Sequence, residues 1–403
     1  MKKILSLLLI LIAPILNIAQ DNLEFSAELR PRLIIDNRDF NSKTDFNSFS
    51  EMRTRVGIKF MPGDDLILFF QPQDSRTFGE EPGTISNTQN LDVHQAYFQV
   101  NNLFDLPVNL KAGRMQASYG TERIMARNNW NNIGRSFDGV ILQIDFCTIC
   151  ETKLDLFAFR TAESGFPEDS LDENVLGAFA ELQFIEGHKL QPFVIYRSST
   201  AASYPFNAFA VGAYLIGSIN GFSHQAEFIS QFGDEREDGP QSLSAFFAGY
   251  NASYTFNAEV KPWLGAGIDY YSGDDDPADN EYKEYSRWFG AGHKYLGYMD
   301  YFPRNTFGVG LMDIHVKAGM KSIGNLKIKS ALHIFNSAED YTLANDSKSN
   351  SFGTEFDLVL TYDYNDYLAF EIGGGLFLPG EIFEENFGKD NSTWFYMMAV
   401  VDL

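Results

Sequence analysis

Apolar and polar residues alternate over many short segments of this chain. Between Leu23 and Leu33 every even-numbered residue is polar and every odd-numbered residue is apolar, and a similar alternation runs from Ala245 to Phe256. Successive side chains of a β-strand point to opposite faces, so each segment predicts a strand with one apolar and one polar face. Eighteen such segments follow one another, starting near residues 23, 51, 65, 91, 107, 138, 153, 175, 189, 207, 222, 243, 259, 305, 325, 352, 367 and 393.

The connections between these segments alternate in length. Short connections include 62–64, 220–221, 324–325 and 365–366, whereas long ones include 34–50, 116–137, 272–304 and 378–392. Short turns at one end and long loops at the other are typical of bacterial outer-membrane barrels. The pattern predicts an all-β fold, a single transmembrane antiparallel β-barrel of about 18 strands, with both termini and the short turns in the periplasm. A secreted β-sandwich or β-propeller would also alternate, but neither predicts alternating loop lengths.

The N-terminus carries the three-part pattern of a secretory signal peptide. A basic start with two lysines precedes an apolar run from Ile4 to Leu16 and a small-residue cleavage signal ending at Ala19. The run is shorter than the ~18 apolar residues that a membrane-spanning helix needs, which argues against an anchor. We therefore predict a signal peptide at 1–19 and a barrel at 20–403, located in the outer membrane of a Gram-negative bacterium.

Charge is distributed unevenly along the chain, whose formal net charge is −23. Residues 21–140 hold 13 Lys and Arg against 16 Asp and Glu, whereas residues 141–403 hold 16 against 38. Acidic runs such as Asp274-Asp275-Asp276 fall in long connections, where water solvates them and divalent cations could bind. The wall of a pore sets its selectivity, so acidic loops do not by themselves exclude anions.

Basic residues cluster on the polar faces of two pairs of neighbouring strands. The clusters are Arg30, Arg32, Arg53, Arg55 and Lys59, and Lys317, Lys321, Lys327 and Lys329. One antiparallel register of the first two strands pairs Arg32 with Glu51, Glu28 with Arg55 and Glu24 with Lys59. It leaves Arg30 beside Arg53 with no acid opposite. Such a lumen favours anions, because guanidinium groups bind carboxylates in a two-pronged way. The alternative is that the cations pair with lumenal acids and only support the barrel.

A series of short motifs runs through the chain in a definite order. They are Glu28-Leu-Arg-Pro-Arg32, Arg53-Thr-Arg55, Gln73-Asp-Ser-Arg-Thr-Phe-Gly79, His94-Gln-Ala-Tyr97, Gly113-Arg114, Tyr119-Gly-Thr-Glu-Arg123, Trp130 to Gly139, Gly353-Thr-Glu-Phe-Asp357 and Pro379-Gly380. This order resembles the alginate export family of outer-membrane porins. The resemblance implies a monomeric eighteen-stranded barrel with an arginine-rich constriction for a polyuronate. The residues it assigns to that constriction are Arg30, Arg53, Arg55, Asp74, Arg76, Arg114, Arg123, Arg135 and Asp138.

Neither the cysteines nor the histidines predict an enzyme or a metal centre. Cys147 and Cys150 lie in a predicted periplasmic turn, and no second Cys pair or nearby His completes a zinc site. A thioredoxin-like context is also missing, so we expect a disulfide between them in this oxidising compartment. No catalytic signature surrounds any of the six histidines. We therefore predict no catalytic residue, no metal and no cofactor.

The sequence thus predicts an outer-membrane channel that passes anionic solutes through a basic constriction. The family resemblance implies acidic saccharides of the alginate type as those solutes. A structural or adhesin-like barrel with a plugged lumen is the first alternative, and a barrel hydrolase is the second. Expected partners are outer-membrane lipid, an anionic oligo- or polysaccharide and, during biogenesis, the barrel-assembly machinery. Nucleic acid is not expected.

Overall fold

The computed structural model describes residues 22–86, 90–147, 152–163, 172–200, 206–235 and 241–403. The predicted signal peptide and the side chains of the predicted Cys147–Cys150 disulfide lie outside this part. Nineteen strands form one sheet among the described residues. They are β1 (Leu23–Asn37), β2 (Asn47–Phe60), β3 (Leu66–Thr77), β4 (Leu91–Val100), β5 (Val108–Met115), β6 (Phe137–Cys147), β7 (Thr152–Ala162), β8 (Glu173–Ile185), β9 (His188–Ser199), β10 (Phe206–Ile219), β11 (Phe222–Glu235), β12 (Gln241–Thr255), β13 (Pro262–Tyr271), β14 (Glu281–Tyr282), β15 (Leu311–Ile323), β16 (Leu326–Thr342), β17 (Lys348–Asp363), β18 (Leu368–Pro379) and β19 (Ser392–Asp402).

The sheet closes on itself. Strand β1 pairs with β2 on one side and with β19 on the other, and both pairings are antiparallel. The two residues of β14 pair in parallel with β12 within a long loop and do not interrupt the wall, because β13 pairs directly with β15. The described chain is therefore a closed antiparallel barrel of eighteen long strands, which confirms the predicted fold. Closure leaves no edge strand, as a lipid environment requires.

The predicted segment starts agree with the observed strands to within four residues, with one exception. The segment predicted near 305 begins at Leu311, because Phe307, Gly308 and Gly310 have positive φ angles of 54°, 84° and 67°. Those angles turn the chain where the alternating sequence suggested an extended strand. The predicted long connection 34–50 is shorter, since β1 extends to Asn37 and β2 begins at Asn47.

The two faces of the wall differ as the alternation predicts. On β1 and β2 the exposed side chains include Leu29, Leu33 and Val56, which form part of an apolar outer belt. The alternating positions include Arg30 and Arg53, which are buried on the lumenal side. An apolar outer face with a polar interior is the arrangement of a transmembrane barrel.

Two long connections fold back into the lumen at the end of the barrel opposite the short turns. We call residues 116–136 loop A and residues 272–310 loop B. Residues Met125 and Phe289 form an isolated β-bridge between the two loops. Helix α1 (Glu381–Asn386) packs beside them. Together they bury Ile124, Met125, Leu296, Met299, Phe302, Ile382 and Phe383 against inward aromatic residues that include Phe137, Phe247, Phe335, Phe352 and Phe377. No helix in the described part of the chain is long and apolar enough to span a membrane.

Candidate functional site

Strands β1 and β2 pair in the register that their charges predict. Arg32 lies opposite Glu51, Glu28 opposite Arg55, and Glu24 opposite Lys59, while Arg30 lies opposite Arg53. The closest contact of Glu28 is diagonal, from its Oε1 to Arg53 Nε at 2.5 Å, whereas Arg55 Nη1 lies 4.0 Å from the other Glu28 oxygen. Four arginines therefore share two carboxylates, Glu28 and Glu51, and this wall keeps an excess of positive charge.

The arginines of this wall hold loop A in the lumen. Arg30 donates to the carbonyl oxygens of Asn129 at 2.8 Å and Asn131 at 3.1 Å. Arg53 donates to the same two oxygens at 3.0 Å each, and Arg55 donates to the Asn129 side-chain oxygen at 3.2 Å. Each of these three arginines is at most 5% exposed. Loop A and, for Arg53 and Arg55, the wall residues Glu28 and Gln73 supply their observed partners, so direct contact with a permeating anion stays a prediction.

Arg123, which belongs to loop A, fixes this loop to the opposite side of the barrel wall. Arg123 donates to Glu227 Oε2 at 3.1 Å, to Asp269 Oδ2 at 2.6 Å and to the Tyr271 hydroxyl at 2.7 Å. Its guanidinium also lies 3.5 Å from the ring centroid of Tyr295 in loop B. Burial lowers the pKa of Arg123, but the neighbouring carboxylates outweigh it and raise the pKa well above its ordinary value. This charge is fully paired and serves to anchor the loop.

A cavity of about 670 Å³ lies between loop A, loop B and the loop ends of β1 to β3. We call it the vestibule. The arginines that border it are Arg32, Arg38, Arg76, Arg135, Arg287 and Arg304, and the acids are Glu51, Glu80 and Asp300. Its lining therefore carries twice as many arginines as carboxylates.

Three vestibule arginines have no carboxylate within 4 Å in the described part of the chain. Arg135 donates to the carbonyl oxygens of Ala126, at 3.1 Å, and Phe289. Arg287 and Arg304 form no ion pair among the described residues. Burial, followed by the neighbouring Arg287, lowers the pKa of Arg135 to about 10, so it remains charged at neutral pH. These three arginines therefore add positive charge to the vestibule lining without a partner carboxylate.

The vestibule is the first of four cavities that share lining residues. Trp130 and His293 border both the vestibule and a cavity of about 170 Å³. His293 and Lys294 also border the next cavity, of about 120 Å³. Lys317 and Trp263 border that cavity and one of about 500 Å³ at the short-turn end. We call these four the cavity chain, and each of them is lined by at least one lysine or arginine.

Aromatic rings form the boundary between the vestibule and the next cavity. Trp130 of loop A stacks on His293 of loop B with ring centroids 3.9 Å apart, and Tyr298 covers the other side of His293 at 4.7 Å. The guanidinium of Arg32 lies 4.2 Å from the centroid of Trp130. We call this series of Arg32, Trp130, His293 and Tyr298 the aromatic stack. It joins the wall and both loops.

The second predicted basic cluster reaches the cavity chain in part. Lys317 and Lys329 border its inner cavities. Lys321 donates to a threonine hydroxyl of β12 at 3.0 Å, and Lys327 pairs with Asp363 at 2.5 Å near the short-turn end. Two of the four lysines thus lie where a solute inside the barrel would meet them.

A family profile decides what this barrel is related to. The profile described as alginate export matches residues 21–396, which is nearly the whole chain. The chain belongs to the alginate export family. As a member with a closed barrel and an apolar outer belt, the protein resides in the outer membrane of a Gram-negative bacterium. A comparison with curated proteins finds no match.

Solved structures share the fold of this alginate export protein at low sequence identity. OccK8 (OprE) of Pseudomonas aeruginosa superposes with a TM-score of 0.62 and 12% identity, covering 96% of this chain and 99% of that chain. OccAB1 of Acinetobacter baumannii gives a TM-score of 0.64 and 9% identity, covering 96% and 97%. Identities this low show a common fold alone.

Two residues that the family resemblance assigns to the constriction lie on the outer surface of this alginate export protein. Arg114 and Asp138 form an ion pair at 2.8 Å. They alternate along their strands with Met115 and Phe137, which point inward and are at most 2% exposed. Their position therefore differs from the lumenal one that the sequence analysis expected.

Asp74 and Arg76 also lie at alternating positions of their strand whose side chains point outward. They alternate with Gln73, which accepts a bond from an arginine of β2 at 2.6 Å, and with Ser75, which donates to a loop A carbonyl at 2.8 Å. Asp74 and Arg76 pair with each other, and Arg76 also borders the vestibule. The remaining five family-implied residues, Arg30, Arg53, Arg55, Arg123 and Arg135, are on the lumenal side.

Arg38, Arg287 and Arg304 border the vestibule but were not predicted from the sequence as site residues. All three lie in irregular segments after strands, where side chains do not alternate between two faces. Their direction therefore cannot be predicted from the sequence. Arg38 pairs with Asp36 and donates to the Met299 carbonyl at 2.8 Å. A usable signal existed for Arg287, which precedes Trp288 and Phe289, and for Arg304, which follows Tyr301 and Phe302 in the same long loop. Adjacent aromatics are unusual in a solvated loop and indicate a segment that packs inward.

Proposed function

We propose that this alginate export protein is an anion-selective channel for acidic saccharides of the alginate type. The unpaired charge of Arg135, Arg287 and Arg304 in the vestibule is the observation that carries the proposal. A polyuronate presents one carboxylate per sugar unit, and guanidinium groups match carboxylates in geometry and charge. A cleft lined by one sign of charge raises the local concentration of the opposite ion.

The cavity chain supports passage beyond the vestibule. Lys294 borders the two smallest cavities, and Lys317 borders the last two. An anion that leaves the vestibule therefore meets another positive group at each step. Several moderate sites in series allow a solute to enter and also to leave, which conduction requires.

A barrel with a plugged lumen is the second candidate function. Loops A and B bury many of their side chains against the inner wall, and the two central cavities are the smallest of the four. The apolar belt suits a monomer surrounded by outer-membrane lipid. A saccharide partner, assistance by the barrel-assembly machinery and the expected lack of catalysis remain predictions. Conductance of the purified protein distinguishes a channel from a plug.

Planar-bilayer recordings test the anion channel. We expect the wild type to pass anions in preference to cations in a salt gradient. Changing Arg287→Gln together with Arg304→Gln should lower the anion-to-cation permeability ratio severalfold. The loss should be larger at 0.1 M salt, where charges act over about 10 Å, than at 1 M, where they act over about 3 Å. An acidic oligosaccharide such as an oligouronate should reduce the wild-type current, and the double variant should need more of it.

Arg114→Gln is the matched control, because it removes an arginine from the outer surface at the same end of the barrel. Its permeability ratio should equal that of the wild type. A wild type that prefers cations, with a ratio unmoved by the double variant, would refute the anion path. A folded wild type with no conductance would favour the plugged barrel.

A further inference from the structure

Two histidines and an aspartate meet on the inward face of β15 and β16. His315 lies directly opposite His333, and Asp313 precedes His315 by two residues on the same face. The Nδ1 atom of His315 lies 3.0 Å from Asp313 Oδ2, and the Nδ1 atom of His333 lies 2.8 Å from the same oxygen. All three residues are at most 2% exposed. Two ring nitrogens and one carboxylate oxygen therefore converge at a buried point of the wall.

Asn251 determines which nitrogen of His315 carries a proton. Its Nδ2 donates to Asp269 Oδ1 at 3.1 Å, which turns its Oδ1 toward His315 Nε2 at 2.6 Å. An amide oxygen only accepts, so Nε2 is the protonated nitrogen. In the neutral ring the lone pair of Nδ1 then faces the Asp313 carboxylate. Two electron-rich atoms at 3.0 Å repel each other unless a positive species stands between them.

We propose that Asp313, His315 and His333 bind a divalent transition-metal ion of the Zn²⁺ type. The three donor atoms lie within 4.8 Å of one another. Imidazole nitrogens with one carboxylate suit zinc, cobalt, nickel or iron, whereas calcium and magnesium prefer oxygen alone. Asn251 supplies the outer hydrogen bond that orients a ligating histidine and fixes its tautomer. With three protein ligands, a fourth position remains for water.

The charge of the surrounding wall favours a cation at this point. The inward carboxylates of strands β11, β13, β15 and β17 are Glu227, Asp269, Asp313, Glu355 and Asp357, each at most 5% exposed. The cations near them are Arg123 and Lys317, and Lys294 and Lys329 border the same cavity as His333. Asp313 itself has no lysine or arginine within 4 Å among the described residues, so a bound divalent ion would compensate its buried charge.

The cavity chain gives an ion access to the site. His315 borders the cavity at the short-turn end, and His333 borders the neighbouring cavity. Lys317 borders both. A bound ion would add positive charge to the wall between these two cavities. The metal site does not depend on the proposed anion selectivity, because binding can be measured without any current.

Titration of the purified, folded barrel with Zn²⁺ tests the site. We expect one tightly bound Zn²⁺ per chain, and a Co²⁺ complex with visible d–d absorption. Asp313→Asn and His333→Gln should each abolish this binding. Asn251→Ala, which removes only the outer hydrogen bond, should weaken it about 10–100-fold. His224→Gln is the matched control, since His224 and His188 also have ring centroids 5.2 Å apart but His188 Nδ1 faces a backbone oxygen.

Location of the ion on the wild type keeps the test independent of variant folding. Anomalous X-ray scattering from a zinc-loaded crystal should place one ion in contact with Asp313 and His333. The proposal is wrong if the wild type binds no Zn²⁺ at micromolar concentrations, because a proton then separates His315 from Asp313. It is equally wrong if a folded His333→Gln variant binds like the wild type, or if the ion lies elsewhere.

Discussion

Loop A and loop B are held in the lumen by opposite chemistry. On one side, wall arginines donate to the carbonyl oxygens of Asn129 and Asn131 in loop A. On the other side, wall carboxylates accept from loop B amides, Met299 N to Glu355 Oε1 at 2.9 Å and Tyr298 N to Asp357 Oδ2 at 3.3 Å. A buried irregular segment must satisfy its backbone donors and acceptors. The barrel wall does so with arginines for the backbone of loop A and with carboxylates for the backbone of loop B, while two further carboxylates hold the Arg123 side chain of loop A.

The two attachments also differ in strength. A guanidinium has five donors in a rigid fork, and Arg53 uses them on both carbonyls and on Glu28. The two carboxylates provide only single bonds to consecutive amides, and the bond to Tyr298 is long at 3.3 Å. Loop A should therefore be the more firmly attached of the two, and removing its attachment should have the larger effect.

The largest effect is expected from Arg53→Glu combined with Arg55→Glu. The double change removes two of the three arginines that bond Asn129 and Asn131, keeps only Arg30, and leaves Glu28 among like charges. Removing one partner of a buried pair costs about 3–5 kcal/mol, so loop A should leave its position. Conductance should rise and anion preference should fall, together with faster protease cleavage in loop A.

The midpoint of thermal unfolding, followed by heat-modifiable gel mobility, measures the cost of that double change. Arg114→Ala provides the comparison, because exposed ion pairs contribute only about 0–1 kcal/mol. Equal midpoints for the two variants would show that the wall arginines do not hold loop A.

A smaller effect is expected at loop B. Glu355→Ala leaves the Met299 amide without its acceptor, and a buried donor left unsatisfied costs about 1–3 kcal/mol. Glu355→Gln keeps an acceptor oxygen in place and should cost less. Thermal midpoints and protease sensitivity of loop B distinguish the two variants. If both lose the same stability, the amide bond is not what retains the loop.

The smallest effect is expected from the acids at the outer part of loop B. Asp275 lies on the surface, where Lys283 Nζ donates to it at 2.6 Å. Changing Asp275 and Asp276 to Asn should alter the permeability ratio less than the two vestibule arginine changes do, because bulk water and salt screen these exposed charges. A larger shift from these acids, recorded at the same salt concentration, would move the selective region from the vestibule to the loop surface.

The order of the strands and the register of β1 with β2 could be predicted from the sequence. Side chains of an extended strand alternate between its two faces, so an alternating sequence indicates both the strand and the face on which each residue lies. Charge complementarity between Arg32 and Glu51, and between Glu24 and Lys59, then sets the register without slippage. The inward course of loops A and B could not be predicted, because their residues have no period and their partners lie on distant strands.

The faces of β5 and β6 at their loop ends show where the rule of polar inside and apolar outside stops. There the inward residues are Met115 and Phe137, because they pack against the loops that fill this end of the lumen. The outward residues are Arg114 and Asp138, which form their ion pair on the barrel surface. Where packed loops fill the lumen, apolar side chains point inward and polar side chains point outward. Family motifs in such a region therefore do not reveal which way their side chains point.

The aromatic stack has a consequence for how the passage opens. Arg32 belongs to the wall, Trp130 to loop A, and His293 and Tyr298 to loop B, yet the four side chains stack in one continuous series. Withdrawing either loop would expose a ring of the other, so we expect the two loops to move together rather than independently. If each loop opened and closed on its own, the channel would have four states. If the loops move together it has two states, so single-channel current recordings should step between only two levels.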